Sequence, residues 1–163
     1  MNPKKILIAV DASENALRAV EYTGEIVGNS EEFHIELLTI ERFSDRDLFA
    51  TDEEWKEKCG ERQQAYKDFL AKARQILIDR GVLEGNILER YIDSCKSPLR
   101  PPSHECSIGT NIAQEIMNII KDEGFGTVVI GRRGVSKEVE FLFGSVSTKI
   151  VHYAKGCTVW VVS

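Results

Sequence analysis

Near its start the chain reads Ile6-Leu7-Ile8-Ala9-Val10-Asp11-Ala12-Ser13. An uninterrupted apolar run is typical of a strand that is buried on both faces, as in a parallel sheet with helices above and below it. The acid and the small residues that follow predict a turn, with Ser13 as the N-cap of a helix. A strand that passes directly into a helix is the first unit of an alternating α/β fold.

The same alternation continues along the rest of the chain. A capping box at Thr51 and Glu54 predicts a second, long helix. Further helices are expected after Ile112 and near Gly144. Four more strands are predicted at residues 33–40, 86–92, 127–130 and 157–162. The sequence therefore predicts a single α/β domain over residues 1–163, built on a five-stranded parallel sheet with helices on both faces.

Composition and charge exclude several classes of protein. Hydrophobic residues make up 42% of the 163 residues, which is ordinary for a globular domain and excludes a disordered or collagen-like chain. With 21 Lys and Arg against 26 Asp and Glu, the net charge of −5 is unfavourable for binding a polynucleotide, so we expect no nucleic-acid partner. No apolar run approaches the length of a bilayer span, so we expect no membrane partner either.

The cysteines and residues 93–108 form the irregular part of the pattern. The four cysteines are far apart without a CxxC pair, and the first apolar run is too short for a signal peptide. We therefore expect reduced thiols in a cytoplasmic protein. Residues 93–108 either cover a ligand site or hang from an edge strand. Cys95, His104 and Cys106 are potential zinc ligands, but their spacing fits no zinc module, and a surface loop with free thiols is the favoured alternative.

A glycine-rich loop follows the predicted fourth strand. It contains Gly131, Arg132, Arg133 and Gly134, and after nine further residues the stretch Gly144-Ser145-Val146-Ser147 opens a helix. Glycines allow the backbone to approach a ligand closely, and the N–H groups at a helix N-terminus favour an anion. The pattern predicts a phosphate site. The alternative is a set of turn glycines followed by an ordinary N-cap.

Asp11 lies at the other half of the same predicted site. In parallel sheets, ligands bind beyond the carboxyl ends of the strands, where the strand order reverses. Asp11 follows the first strand, which is expected to neighbour the fourth, so its carboxylate can accept hydrogen bonds from ribose hydroxyls. It can equally stabilise the helix N-terminus through the helix dipole, and the two roles are compatible.

Together these residues resemble the nucleotide-binding universal stress proteins. The family signature, Gly-x2-Gly-x9-Gly-[Ser/Thr], is matched by Gly131, Gly134, Gly144 and Ser145 with its spacing intact. The first and last strands also resemble those of the family. The resemblance implies a Rossmann-like fold of the adenine nucleotide alpha hydrolase kind. It covers nearly the whole chain except about residues 93–107.

The resemblance also implies a role for each matching residue. Asp11 and Gly131 would hold the ribose, and Ile40, with Ala9 and Val10 at the end of the first strand, would border the nucleoside. The phosphates, with a Mg or Mn ion, would lie against a basic loop and helix start that comprise Arg132, Arg133, Gly134, Gly144, Ser145, Val146 and Ser147. A homodimer would form through the last strand, residues 157–162, unless Trp160 packs within one subunit.

We identify no catalytic residues in the sequence. The function expected from the resemblance is an ATP-binding universal stress protein that senses nucleotide state in the stress response, with slow or absent hydrolysis. The bound nucleotide is expected to be ATP, with ADP and AMP as alternatives, and an unknown regulatory protein would read the bound state. The alternatives are a nucleotide-independent dimeric interaction module and a slow ATPase or phosphotransferase.

Overall fold

A six-stranded parallel sheet forms the centre of the computed structural model, which describes residues 1–42, 46–102, 105–132 and 144–163. In chain order the strands are β1 (Asn2–Ala9), β2 (His34–Ile40), β3 (Ile87–Ser94), β4 (Cys106–Ser107), β5 (Phe125–Gly131) and β6 (Thr158–Val162). Across the sheet they follow the order β4-β3-β2-β1-β5-β6. The chain therefore builds outward from β1 in one direction and then returns to add β5 and β6 on its other side.

Helices cover both faces of this sheet, as predicted. They are α1 (Glu14–Val27), α2 (Asp52–Asp79), α3 (Ile112–Asp122) and α4 (Ser145–Tyr153), with short 3-10 turns at Arg46–Leu48 and Glu84–Asn86. The helices α1 and α2 pack on one face, and α3 and α4 pack on the other. Within the described part of the chain, no helix combines the length and apolarity needed to cross a membrane.

The β1 strand joins the two halves of the hydrophobic core. Its side chains alternate between the faces of the sheet: Ile6 and Ile8 pack in the cluster under α1 and α2, and Leu7 packs in the cluster under α3 and α4. All three are fully buried. Burial of each such side chain stabilises the fold by about 1.5–3 kcal/mol, which is why this strand carries an unbroken apolar run.

The predicted caps begin the first two helices. Ser13 Oγ accepts a hydrogen bond from the Ala16 N–H at 3.2 Å, and Thr51 Oγ1 accepts one from the Glu54 N–H at 3.1 Å. In a standard capping box the Glu54 carboxylate would accept a hydrogen bond from the N–H of Thr51. Here it accepts instead from the N–H of the preceding residue, Ala50, at 3.1 Å. Both helices therefore begin where the sequence predicts.

The prediction of five strands is short by one. Within residues 93–108, β4 pairs with β3 in parallel, with Asp93 opposite Cys106 and Ser94 opposite Ser107. The N–H of Cys95 also donates to the carbonyl of Ser107 at 2.7 Å. The segment is therefore attached to the edge of the sheet through β3. A strand of two residues is too short to produce a hydrophobic pattern that sequence analysis can detect.

The expectation of four reduced thiols is wrong for one pair. Strand pairing brings the Cα atoms of Cys95 and Cys106 to 4.8 Å, and their sulfurs form a disulfide. The zinc hypothesis is overturned with it, because neither thiol is left to bind a metal; its third member, His104, lies outside the described residues. Among the residues described, no group of three or more His, Cys, Asp and Glu side chains could hold a metal ion. Cys59 and Cys157 are free.

We predict that reducing the Cys95–Cys106 disulfide lowers the free energy of unfolding by about 3 kcal/mol, because the bond restricts the unfolded chain over a separation of 11 residues. Urea unfolding with and without dithiothreitol measures this difference. The Cys106→Ser variant is the control, since reductant should leave its stability unchanged. Four free thiols in the unreduced, denatured protein would contradict the prediction.

Candidate functional site

A cavity of about 360 Å³ opens where the carboxyl ends of β1, β2 and β5 meet. The end of β1 contributes Ala9, Val10 and Asp11 to its lining, β2 contributes Ile40, and β5 contributes Gly131. These residues were each singled out from the sequence, and they come from strands that lie next to one another in the sheet. The cavity lies at the point where the strand order reverses, which is where α/β sheets bind ligands.

The turn after β1 fixes the carboxylate of Asp11. Its Oδ1 accepts hydrogen bonds from the Ser13 hydroxyl at 2.6 Å and from the Ser13 N–H at 3.3 Å. Ala12 between them has a φ of 61°, a left-handed conformation that reverses the chain between strand and helix. Asp11 therefore braces the turn that leads into α1, and it also lines the cavity.

The start of α4 forms another wall, through Gly144, Ser145, Val146 and Ser147. The first N–H groups of a helix have no partner within it, so this wall presents backbone donors at the positive end of a helix dipole. The Ser147 hydroxyl is used differently. It is buried, and it lies 3.0 Å from the carbonyl oxygens of both Arg132 and Gly144. It therefore ties α4 to the end of β5.

Of the two arginines in the glycine-rich loop, the structure describes Arg132. The backbone of Arg132 joins three elements: its N–H donates to the Val162 carbonyl at 2.6 Å, and its carbonyl accepts from the Gly144 N–H at 3.1 Å. Among the described residues that line the cavity, Arg132 is not included. Arg133 and Gly134, also predicted from the sequence, lie outside the described residues.

Gly131 is required by the packing of β5 against α1. A Cβ atom at this position would lie 2.9 Å from the backbone carbon of Asn15, in the first turn of α1. Such a contact is too close for any larger residue unless β5 or α1 shifts. The absence of a side chain therefore allows α1 to begin directly against the end of β5.

Three polar residues of the cavity were not predicted from the sequence, namely Arg42, Arg62 and Tyr66. Arg62 and Tyr66 lie on α2, and the Arg62 guanidinium donates to the carbonyl of Arg42 at 3.0 Å. Burial raises the pKa of Tyr66, so its hydroxyl remains protonated and can donate a hydrogen bond at neutral pH. The capping box predicted α2, but nothing in the local pattern shows that its third and fourth turns, which carry Arg62 and Tyr66, reach the carboxyl ends of the strands.

The remaining walls are apolar. They consist of Leu38, Ile112, Ile116 and Ile130, which sequence analysis had not assigned to a site. Ile112 and Ile116 belong to α3, where a spacing of four residues places them on one face. The cavity therefore has an apolar side between β2, β5 and α3, and a polar side between Asp11, α2 and α4. A ligand with a flat apolar part and a charged part would match both.

Buried carboxylates lie behind the side of the cavity that carries Arg42. Glu41 is buried, and its carboxylate accepts a hydrogen bond from the Ser94 N–H at 3.0 Å. Burial raises the pKa of Glu41, and the nearby charge of Asp93 raises it further. The Asp93 carboxylate accepts from the Gln63 side chain at 3.0 Å. These acids partly balance the positive charges of Arg42 and Arg62 on this side.

Solved structures of known proteins share this fold at low sequence identity. The universal stress protein UspA from Lactobacillus plantarum is 17% identical, with a TM-score of 0.70 over 100% of this chain and 99% of its own. A universal stress protein in complex with cAMP is 18% identical, with a TM-score of 0.63 over 97% of this chain and 94% of its own. The universal stress protein from Archaeoglobus fulgidus in complex with dAMP is 18% identical, with a TM-score of 0.62 over 98% and 97%.

The family comparison covers almost the entire sequence. No curated protein sequence matches this chain significantly. The model of the universal stress protein family, however, matches residues 2–163. That range includes every described residue that lines the cavity and the six strands of the sheet. The resemblance to the universal stress protein family is therefore confirmed. This chain belongs to the universal stress protein family.

Proposed function

We propose that this protein binds an adenine nucleotide in the cavity at the carboxyl ends of β1, β2 and β5, and acts as a nucleotide sensor. One observation carries the proposal. Residues that are far apart in sequence, and to which the family resemblance assigns ribose, adenine and phosphate contacts, line a single cavity; they include Asp11, Ile40, Gly131 and Ser145. The volume of about 360 Å³ falls within the range of small-molecule and cofactor sites.

The two sides of the cavity fit the two ends of a nucleotide. In our proposal the adenine lies against Ile40, Ile116 and Ile130, which form the apolar side. The Asp11 carboxylate accepts hydrogen bonds from the ribose hydroxyls. The phosphates lie at the start of α4, where the backbone N–H groups of Ser145 and Val146 can donate to anionic oxygens.

Two structural neighbours support the class of ligand. One universal stress protein was solved in complex with cAMP and another in complex with dAMP, and both are adenine nucleotides. We extend the proposal to ATP, or to ADP or AMP, bound with Mg or Mn. The reason is that the segment before α4, the proposed phosphate-binding helix, contains the basic residue Arg133. Hydrolysis is expected to be slow or absent. A cytoplasmic regulatory partner would then read the nucleotide state of the protein.

Calorimetric titration of AMP and ATP, with magnesium present, tests the proposal. We predict that Asp11→Asn weakens both affinities by at least about tenfold, because charge-assisted hydrogen bonds to the ribose are lost. The amide side chain can still accept from Ser13, so the turn should be retained. The control is Asp122→Asn, which changes an exposed acid at the end of α3 and should leave both affinities unchanged.

Two results would contradict the proposal. One is a wild-type protein that binds no adenine nucleotide at millimolar concentration. The other is an Asp11→Asn variant that binds as tightly as wild type. Mass spectrometry of small molecules released from freshly purified, denatured protein shows in addition whether a nucleotide is already bound, which would otherwise lower the apparent affinity in the titration.

We also propose a homodimer that pairs the β6 strands of two copies. The support is the position of β6 at the sheet edge, where one side of its backbone has no neighbouring strand among the described residues. Val161 is 37% exposed there. Trp160 is half-buried and contacts the Tyr22 ring edge-on, with centroids 6.0 Å apart, so its packing within one subunit is compatible with pairing through the backbone.

Light scattering during size-exclusion chromatography tests this dimer. The wild-type protein should have twice the chain mass of 18.4 kDa. Val161→Glu should yield monomers, because two copies would bring like charges together at the strand edge. Val151→Glu, at an exposed position on α4, is the matched control and should remain dimeric. A monomeric wild-type protein, or a Val161→Glu variant that stays dimeric, would overturn the arrangement.

A further inference from the structure

A second cavity adjoins the first. It has a volume of about 450 Å³ and lies between the starts of α3 and α4. Arg42, Ile112, Ser145 and Val146 line both cavities, so the two spaces meet at the start of α4. A ligand whose charged end reaches the start of α4 in the first cavity therefore has a direct route into the second.

The second cavity is lined by positive charges. Arg42 comes from the end of β2, Lys96 follows β3, and Lys149 lies on α4. None of the described residues that line this cavity is acidic. Three cations from three separate segments thus face one space, although the chain as a whole has a net charge of −5. Such an arrangement attracts an anionic group rather than a nucleobase or an apolar group.

The walls that carry these cations are held by specific contacts. Lys96 follows Cys95, which is joined to Cys106 by the disulfide. Beyond Cys106, the Ser107 side-chain oxygen accepts a hydrogen bond from the Gly109 N–H at 2.9 Å. Across the cavity, Lys149 Nζ lies 3.5 Å from the side-chain oxygen of Asn111, the N-cap of α3. Residues 108–110, which directly follow β4, form one wall of this cavity.

We propose that the second cavity is a phosphate subsite. It takes the outer phosphates of a nucleotide whose adenosine occupies the first cavity, and so it makes the protein selective for adenosine polyphosphates over AMP. This inference rests on the proposed function, which concerns the first cavity. The residues that determine the selectivity are Lys96 and Lys149, because both line the second cavity and neither lines the first.

Calorimetry with ATP and AMP on a double variant tests the subsite. We expect wild type to bind ATP at least about tenfold more tightly than AMP, and Lys96→Gln with Lys149→Gln to lose most of that difference. The affinity for AMP should change by less than about twofold, since exposed charges act weakly over distance. The matched control, Lys72→Gln with Lys121→Gln, removes the same charge from exposed positions outside the cavity and should retain the preference for ATP.

Inorganic tripolyphosphate separates failure of the subsite from failure of the proposed function. If wild type binds neither nucleotide but binds tripolyphosphate, and the double variant weakens that binding while the control does not, the subsite stands and the nucleotide proposal falls. Equal affinities of wild type for ATP and AMP would overturn the subsite. So would an equal loss of both affinities in the double variant, or the absence of tripolyphosphate binding at millimolar concentration.

Discussion

The burial of β1 between two neighbouring strands and two layers of helices is the constraint on which the rest of the molecule depends. Ile6 and Ile8 contribute to the core on one face of the sheet and Leu7 to the core on the other, so these three residues of the strand are shielded from water. Its neighbours are β2 and β5, whose connections leave in opposite directions. That divergence opens a cavity at the carboxyl end of β1, where Asp11 must lie.

Local signals in the sequence were sufficient for most of this architecture. Continuous apolar runs located the long strands, and Ser13 and Thr51 located the starts of two helices, because both signals depend on neighbouring residues. The β4 strand and the disulfide were missed for the opposite reason. Cys95 and Cys106 come together only through pairing with β3, which no local pattern encodes.

The same distinction applies to the candidate site. Asp11 and Gly131 were predictable because they lie at the carboxyl ends of strands and belong to recognisable motifs. Arg62 and Tyr66 were not, because their place in the cavity depends on how the 28-residue helix α2 lies across the sheet. Some motif residues also support the fold: Gly131 allows close packing against α1, and the Ser147 hydroxyl ties α4 to β5. If a substitution at such a position abolished ligand binding, the result would not distinguish a lost ligand contact from a disturbed fold.

The most direct measurement of the central claim is therefore one that leaves the sequence intact. In ¹⁵N-labelled protein titrated with AMP, the account predicts that the largest amide shift changes occur at Val10, Asp11, Ile40 and Ser145, which line the first cavity. The amide shifts at the amino ends of the strands, such as that of Phe125 at the start of β5, should not change. Shift changes confined to these amino ends, or no shift changes at saturating nucleotide, would contradict the proposed site.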